Sequence, residues 1–243
     1  DDCSTDGCGE ILEMLGQKHA FRVIRNTKNK GNCKSFNTAL SRTRGKYIID
    51  LAADDLLMPG RISTGVEVLE NLPDNYGVHF CDAELIDGKG RFIKTHYRRD
   101  SQGALVEDVP QGYIFKELVE KYLICTPAMM IKKNVLDDLG GYDESLSYED
   151  FDFWVRSSRK YSYAFSDKAL VKKRVLKASH STRQKKILNR QIKSTALVCK
   201  KALALCETQE ELKALLKRIN YEMKWAIATG NFIEAVKLYR LRV

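Results

Sequence analysis

The sequence predicts an α/β fold, in which a mainly parallel sheet is flanked by helices and followed by a small α-helical region at the C-terminal end. Two observations lead to this prediction. Short apolar runs alternate with helical patterns over the first part of the chain, and the connections between them are short, which is typical of sheets covered by helices. From about residue 184 onward only helical patterns follow. We therefore predict two parts, residues 1–183 and residues 184–243.

Six elements are predicted over the first 82 residues. They are a helix over 8–19, a strand over 21–26, a helix over 34–43, a strand over 46–52, a helix over 59–72 and a strand over 77–82. The compact apolar run KYIIDLA (46–52) suits a buried parallel strand, and Pro59 occupies the favoured first turn of its helix. The DGKG sequence at 87–90 then predicts a hairpin turn.

The pattern of helices and strands continues to residue 175. The predicted elements are a helix over 112–124, a strand over 127–133, a short helix closed by Gly140 and Gly141, a helix over 148–161 and strands over 163–175. Phe151 and Trp154 give the helix over 148–161 a buried face. Three further helices follow. Thr208 and Glu211 form a capping box at the start of the second one, and Gly230 separates the second from the third.

The composition is that of a globular protein. Apolar residues make up 44% of the 243 residues, and no apolar run reaches the roughly 18–20 residues that a bilayer requires. The net charge of +9 is unevenly divided, because residues 172–243 contain 18 Lys and Arg against 5 Asp and Glu, a net charge of +13. Residues 1–171 carry a net charge of −4. This division excludes a uniformly basic coat protein, and we expect no nucleic-acid partner.

The cysteines and histidines indicate neither a disulfide framework nor a zinc site. The 7 cysteines are scattered and form no CxxC pair, which is typical of reduced thiols in a cytoplasmic protein. As an alternative, Cys3 and Cys8 are close enough in sequence to form a disulfide in an oxidising compartment. The 4 histidines are too dispersed to form a metal cluster.

Three acidic segments are candidates for chemistry, and each has a plainer structural explanation. DDCSTDG (1–7) offers two carboxylates and a Ser/Thr pair, including Ser4, to a base or ribose, but these residues also cap helices well. DLAADD (50–55) follows a predicted buried strand, where adjacent carboxylates favour Mg²⁺ or Mn²⁺ shared with phosphate oxygens, or else cap the next helix. YED (148–150) either supplies a general base or places acids where the helix macrodipole favours them.

The order of four motifs is more specific than any one of them. DDCSTDG, NKGNCKSFNTAL, GKYIIDLAADDLLMPGRI and GGYDESLSYEDFDFWVR follow one another along the chain. In this order they resemble the family 2 glycosyltransferases of the GT-A fold, and the resemblance extends over roughly residues 1–183. It implies a GT-A-like sheet and a direct displacement with inversion. In that reaction a sugar passes from a nucleotide-diphosphate sugar donor to an acceptor hydroxyl.

The resemblance also implies roles for single residues. Asp1 and Asp2 match the acidic pair beside the nucleotide base, and Asn37 matches an Asn of the donor-site helix. Asp54 matches the last carboxylate of the DxD signature, which holds Mg²⁺ or Mn²⁺ on the donor pyrophosphate. Asp150 matches the catalytic base that takes the proton of the acceptor hydroxyl.

Other matching or neighbouring residues have a less direct interpretation. Trp154 and Arg156 match positions that look mainly structural. Lys173 and Arg174 either add positive charge at the pyrophosphate or belong to a solvated run of charges. His180 lies in a basic loop that either closes over the donor or is an ordinary surface loop.

The sequence departs from the family pattern in two places. Ala52 stands where the family usually has the first acid of DxD, which leaves Asp54 as the main expected metal ligand and the adjacent Asp55 as a second one. Asp50, in the preceding strand, is a poor replacement for the missing acid. The family's first strand and helix are also absent, so we expect the chain to be part of a longer protein, and the activity of this part alone stays open.

We therefore predict a hexosyl- or N-acetylhexosaminyl-type transferase of cell-surface polysaccharide or glycolipid biosynthesis, acting on a saccharide or lipid-linked saccharide. The alternative is a degenerate, non-catalytic module of the same fold that binds a nucleotide-sugar or a partner. A nucleotidyltransferase is disfavoured, because no Gly-rich triphosphate loop with a following Lys or Arg is present.

The basic tail allows two interpretations. Its apolar residues recur at helical spacing, which predicts packing between helices or against the head. Its Lys and Arg residues also suit an anionic membrane surface. We expect a cytoplasmic protein that lies at the inner face of the membrane when its tail binds lipid.

Overall fold

A six-stranded sheet forms the centre of the fold, and its two longest strands are β3 (Tyr76–Ile86) and β6 (Ser162–Arg174). The structure is a computed structural model that describes residues 1–176 and 191–242. The shorter strands are β1 (Tyr47–Ile48), β2 (Leu56–Leu57), β4 (Phe92–Thr95) and β5 (Met129–Lys132). The strand order is β1-β5-β3-β6-β2, and β4 also pairs with β3.

Helices lie around this sheet and continue into the C-terminal region. The first six are α1 (Cys8–His19), α2 (Asn32–Leu40), α3 (Arg61–Asn71), α4 (Phe115–Glu120), α5 (Lys133–Asp138) and α6 (Asp150–Ser158). The tail contains α7 (Gln191–Leu205), α8 (Gln209–Ala228) and α9 (Phe232–Tyr239). A 3₁₀ turn at Thr126–Ala128 precedes β5. The predicted α/β layer with flanking helices and a helical C-terminal region is therefore confirmed.

The strand directions correct the prediction of a mainly parallel sheet. β3 and β6 are parallel, from Tyr76 opposite Ser162 to Ile86 opposite Arg174. The other four pairings within the described ranges are antiparallel. The KYIIDLA segment contributes only β1, which pairs with β5 at the end of the sheet. An apolar run indicates that a strand is buried on both faces. It does not indicate whether the neighbouring strands run parallel or antiparallel to it, because those strands come from distant segments of the chain.

The predicted strand over 21–26 is also wrong, since this segment is not a strand in the described chain. Its backbone instead makes two hydrogen bonds with Asp1. The amino group of Asp1 donates to the Ile24 carbonyl at 2.8 Å, and the Asn26 N–H donates to the Asp1 carbonyl at 2.9 Å. These two bonds fix the acidic segment at residues 1–7 beside residues 24–26.

Head and tail share one hydrophobic core. Buried tail residues such as Ile192, Leu215 and Ile219 belong to the same cluster as Phe80 and Trp154 of the head. Helix α8 packs on α4, and α7 packs on α6. The predicted packing of the tail against the head is confirmed. The predicted boundary at 183/184 lies outside the described residues and stays a prediction.

Local signals predicted several details of the structure correctly. The capping box forms at the start of α8, where Thr208 accepts from the Glu211 N–H at 3.2 Å and Glu211 accepts from the Thr208 N–H at 3.2 Å. Gly230 has a φ of +75° between α8 and α9. Helix α4 is shorter than predicted, because Gly112 pairs with Tyr163 in a β-bridge and Lys121 has an extended backbone.

All seven cysteines are free thiols, so the alternative of a Cys3–Cys8 disulfide is not realised. Cys33, Cys81, Cys125 and Cys199 are buried and serve as small apolar residues. In the ranges 1–176 and 191–242, no helix combines the length and apolar character that crossing a bilayer requires.

Candidate active site

The carboxyl groups of Asp50, Glu149 and Asp150 lie close enough to interact electrostatically, and we refer to these three residues as the acid cluster. Asp50 follows β1, whereas Glu149 and Asp150 are the N-cap and first residue of α6. Tyr142 donates its phenol to Asp50 Oδ2 at 3.2 Å. Asn32, at the start of α2, donates to Glu149 Oε2 at 2.6 Å. Segments that are far apart in sequence therefore fix the cluster.

Asp150 is held by two further hydrogen bonds. The Thr126 hydroxyl donates to Asp150 Oδ2 at 3.2 Å, and the Phe151 N–H donates to Asp150 Oδ1 at 2.7 Å. Thr126 belongs to the 3₁₀ turn before β5, and Phe151 lies in the first turn of α6. Both donors favour the ionised carboxylate.

Burial and mutual repulsion make the acid cluster hold a proton. Burial raises the pKa of Asp50 and of Asp150 and, with repulsion from both of them, raises the pKa of Glu149 to about 8. Lys173 of β6 acts in the opposite direction and lowers the pKa of Asp150. The titrations of Glu149 and Asp150 are coupled, and the proton that the pair holds at neutral pH belongs to the pair. Two carboxyl groups with such different environments suit acid–base chemistry.

The acidic pair at the start of the chain is largely engaged within the protein. Asp2 Oδ1 accepts from the Lys30 N–H at 2.8 Å and from Asn26 Nδ2 at 3.0 Å, and its Oδ2 accepts from the Gly31 N–H at 2.8 Å. Burial alone would raise the pKa of Asp2, but these hydrogen bonds outweigh it and lower the pKa. Asp2 therefore holds the NKGN loop (29–32) in place.

Asp1 and Ser4 differ in their exposure. The Asp1 side chain is only 3% exposed, and its Oδ2 accepts from the Ser4 N–H at 3.2 Å. Ser4 itself is exposed. Of the residues predicted to bind the donor in this segment, Ser4 is therefore more accessible to a ligand than Asp1. The donor-binding roles of Asp1, Asp2 and Ser4 stay predictions.

Asn37 braces the acid cluster from the side of α2. Its Nδ2 donates to the Tyr142 carbonyl at 2.9 Å, and its Oδ1 accepts from the Tyr142 N–H at 2.9 Å. A side chain on Gly141 would collide with it, because an added Cβ would lie 2.4 Å from Asn37 Oδ1. Asn37 thus fixes the turn that carries Tyr142, whose phenol reaches Asp50.

Asp54 and Asp55 point in different directions. Asp54 is exposed. Asp55 is 8% exposed and accepts from the Arg174 N–H at 2.8 Å, and burial raises its pKa. Of the two predicted metal ligands, Asp54 is therefore the one that solvent or a ligand reaches.

A divalent cation fits this loop only as one shared with a substrate. Within residues 1–176 and 191–242, no group of three or more His, Cys, Asp and Glu side chains is arranged to hold a metal. Mg²⁺, however, is commonly bound through one or two carboxylates plus substrate phosphates and water. The single exposed carboxylate of Asp54 fits that mode and does not fit a site built from protein ligands alone.

The predicted pyrophosphate contacts lie in different settings. Arg174 Nε donates to the Asp54 carbonyl at 3.1 Å and Nη1 donates to the Asp87 carbonyl at 3.0 Å, so its guanidinium braces the Asp54 loop against the β3–β4 turn. Lys173 is half-buried, and its positive charge lowers the pKa of Asp150. His180 lies outside the described residues.

Trp154 and Arg156 have structural roles, as predicted. Trp154 is 1% exposed and donates its indole N–H to Met129 Sδ at 3.1 Å. Arg156 pairs with Asp152 at 2.7 Å and donates to the Gly141 carbonyl at 2.9 Å.

Several members of the site are not evident from the sequence. Asp50 is a poor replacement for the missing acid of DxD, yet the fold places it near Glu149 and Asp150. Tyr142 lies in the GGYDE motif, which is a usable signal, but nothing in the sequence connects it to Asp50. Thr126 carries no sequence signal, because its contact with Asp150 depends on how the 3₁₀ turn meets α6.

Known proteins resemble this chain in sequence and in fold. Residues 1–140 match the sequence model of the family described as Glycosyl transferase family 2. An uncharacterised glycosyltransferase of Methanocaldococcus jannaschii is 33% identical over 173 residues, which are 68% of this chain and 55% of that protein. One from Rickettsia typhi is 27% identical over 175 residues, 70% of this chain and 52% of that protein. The matches thus cover about half the length of these relatives.

Two solved structures have the same fold. Staphylococcus aureus TarS, residues 1–349 in complex with UDP-GlcNAc, has a TM-score of 0.67 at 18% identity, and the match covers 99% of this chain and 73% of that one. The mannosyltransferase PcManGT of Pyrobaculum calidifontis, in complex with GDP-Man and Mn²⁺, has a TM-score of 0.63 at 16% identity, with coverages of 99% and 63%. The order of motifs, the GT-A architecture and the match over residues 1–140 agree: the chain belongs to glycosyltransferase family 2.

Proposed function

We propose that this chain is the catalytic part of an inverting glycosyltransferase, which moves a hexosyl or N-acetylhexosaminyl group from a nucleotide-diphosphate sugar to an acceptor hydroxyl. The observation that carries the proposal is the acid cluster, in which Asp150 is hydrogen-bonded by two donors and lies beside Glu149, whose pKa is raised to about 8 by burial and by the neighbouring acids. Such an arrangement provides one ionised carboxylate that accepts a proton.

In the proposed reaction, Asp150 takes the proton of the acceptor hydroxyl while that oxygen attacks the anomeric carbon. The new carbon–oxygen bond forms as the bond to the diphosphate breaks, the configuration inverts, and the nucleoside diphosphate leaves with the bonding electron pair. Glu149 keeps its proton and so limits the negative charge around Asp150. Lys173 adds a positive charge on the side of β6.

Asp54 would hold Mg²⁺ or Mn²⁺ in this scheme. The cation would neutralise charge on the pyrophosphate, which makes the nucleoside diphosphate a better leaving group. The proposal draws support from PcManGT, whose complex contains GDP-Man and Mn²⁺. Asp1, Asp2, Ser4 and Asn37 would shape the donor pocket, Asp2 and Asn37 chiefly by holding its loops.

The proposed place of action is the inner face of an anionic membrane, where lipid-linked saccharides or growing surface glycans serve as acceptors. Helix α9 exposes Phe232, Ile233, Val236 and Tyr239, which share one face, while Ala235 and Leu238 are buried on the other. Arg240 and Arg242 follow directly. An exposed apolar face bordered by cations is complementary to anionic headgroups over an acyl layer.

The test of the proposed reaction is a comparison of Asp150→Asn with Glu149→Gln. The full chain is assayed with UDP-GlcNAc and GDP-mannose, each with and without Mn²⁺, against saccharide acceptors, and release of UDP or GDP is measured. Loss of the base should lower kcat by about 10²–10⁴-fold. Glu149→Gln should retain most of the activity at pH 7, since Gln resembles the protonated acid. Asp74→Asn, at an exposed carboxylate, is the matched control.

A binding module without turnover is the competing outcome. It would give binding of a donor, seen as a raised melting temperature, but no release of nucleoside diphosphate from the unsubstituted chain with any acceptor. Unchanged transfer by Asp150→Asn would contradict the assignment of the base.

A further inference from the structure

Arg218 is a buried cation of the tail that lies near Asp150 of the acid cluster. It belongs to α8, its side chain is 3% exposed, and its Nε lies 3.0 Å from Oε1 of Glu222 one turn further along the helix. Its Nη2 is buried and has no hydrogen-bond partner among the described residues. A buried guanidinium with an unmatched N–H is costly, and an apolar side chain would avoid that cost.

The guanidinium lies between two rings that border Asp150. Its Cζ is 4.1 Å from the ring centroid of Tyr122 and 4.3 Å from that of Phe151. Phe151 directly follows Asp150 and donates its N–H to that carboxylate. The Tyr122 phenol interacts electrostatically with both Asp150 and Arg218. Arg218 thus contacts two aromatic side chains, of which one directly follows Asp150 in sequence and the other interacts with it electrostatically.

Helix α7 holds the same segment by polar contacts. The Ser147 N–H donates to Ser194 Oγ at 2.9 Å, and the Tyr148 hydroxyl is 2.7 Å from Thr195 Oγ1. Lys201 Nζ lies 2.5 Å from Asp152 Oδ1. Residues on both sides of Glu149 and Asp150 are therefore bound to the tail.

We propose that Arg218 is a positioning residue for Asp150: from the C-terminal helices it holds the Tyr122 and Phe151 rings in place and keeps the Asp150 carboxylate ionised. The role of Asp150 as base rests on the proposed function, whereas the electrostatic effect of Arg218 on it does not. A carboxylate that lies among other acids needs nearby positive charge to stay ionised, and Lys173 of β6 and Arg218 of α8 supply it.

The charged and titratable groups around Asp150 come from several elements. They are Asp50 after β1, Glu149 before α6, Tyr122 after α4, Tyr142 and Tyr148 in the segment before α6, Lys173 of β6 and Arg218 of α8. Glu222 of α8 is the ion-pair partner of Arg218. A neighbouring carboxyl group disfavours ionisation of Asp150 only when it is itself ionised, whereas the two cations favour it. Removal of one cation should shift the balance measurably.

The experiment is a ¹³C carboxyl NMR titration of the full chain, with the Asp150 signal assigned from Asp150→Asn. Arg218→Met should raise the midpoint of Asp150 by about one pH unit, and Arg218→Lys by less. Glu222→Gln removes a negative charge and should lower the midpoint. Lys217→Met, which removes an exposed cation from the neighbouring position of the same helix, should leave it unchanged.

If Arg218→Met does not fold, Arg218→Lys and Glu222→Gln still test the inference, because they should shift the Asp150 midpoint in opposite directions. Unchanged midpoints in every folded variant would overturn the inference. Failure of the proposed function is a separate result, namely unimpaired sugar transfer by Asp150→Asn. If the proposed function and the role of Arg218 are both correct, the acid limb of the pH profile of kcat/KM should move with the Asp150 midpoint in Arg218→Lys.

Discussion

The Tyr142 phenol and the Asp50 carboxylate, 92 positions apart in sequence, are joined by a hydrogen bond of 3.2 Å. Tyr142 also stacks on Phe36 of α2, with ring centroids 4.0 Å apart. The hydrogen bond and the stacking contact together connect α2, the turn after α5 and the segment after β1. The hydrogen bond lowers the pKa of Asp50, although burial raises that pKa overall.

Tyr142→Phe should destabilise the protein by about 1–2 kcal/mol, because the half-buried Asp50 loses a hydrogen-bond donor. Its effect should grow with pH. The folded-state pKa of Asp50 lies above its unfolded value, so this group's contribution to stability falls as pH rises above about 4, and the variant raises that pKa further. Urea unfolding at pH 4.5 and 7.5 measures the difference, with the exposed Tyr239→Phe as control. An equal effect at both pH values would contradict the prediction.

Glu149 should make the stability of the protein fall between mildly acidic pH and about pH 8. Burial raises its pKa to about 8, so the folded state holds a proton that the unfolded state releases. Because a raised carboxyl pKa stabilises the folded state only while the group is protonated, stability is lost as pH rises toward 8. Glu149→Gln should flatten this slope in urea unfolding measured from pH 5 to 9. A slope equal to that of the unsubstituted chain would show that other groups cause it.

Gly141→Ala should be more destabilising than Gly140→Ala. Both glycines have positive φ, at +75° and +71°, so both substitutions strain the backbone by on the order of 1–3 kcal/mol. Only at Gly141 would the new Cβ also lie 2.4 Å from Asn37 Oδ1, whereas at Gly140 nothing lies within 4 Å. The difference between the two free energies of unfolding isolates the clash with Asn37. Equal losses would mean that Asn37 moves aside freely.

The exposed face of α9 should bind anionic vesicles. A Phe232→Ser/Ile233→Ser double variant should weaken binding to phosphatidylglycerol-containing vesicles about tenfold or more, since it removes two large apolar side chains. Binding by the unsubstituted chain should also weaken in high salt and on phosphatidylcholine vesicles. Ile62→Ser, at an exposed position of α3, is the control. Co-sedimentation that the double variant leaves unchanged would contradict the proposed surface.

Local chemistry was sufficient to predict most helices, the hairpin turn and the capping box. The helix over 8–19 was predicted with its final bounds, and Thr208 with Glu211 caps α8 as expected. These features depend on neighbours within four residues, which the sequence displays directly. The ordered motifs likewise predicted the family and its fold.

Strand direction and the surroundings of the acids required the folded chain. KYIIDLA has the composition of a buried strand whether its neighbour is parallel or antiparallel, and β5, its partner, is about 80 residues away in sequence. Asp50 and Arg218 carry no local signal for the roles argued above, because their contacts come from segments that are distant in the chain. The residue types and motifs thus identify the family and the candidate base. Which carboxyl holds the proton is set by burial and through-space charge, which exist only when these distant segments pack together.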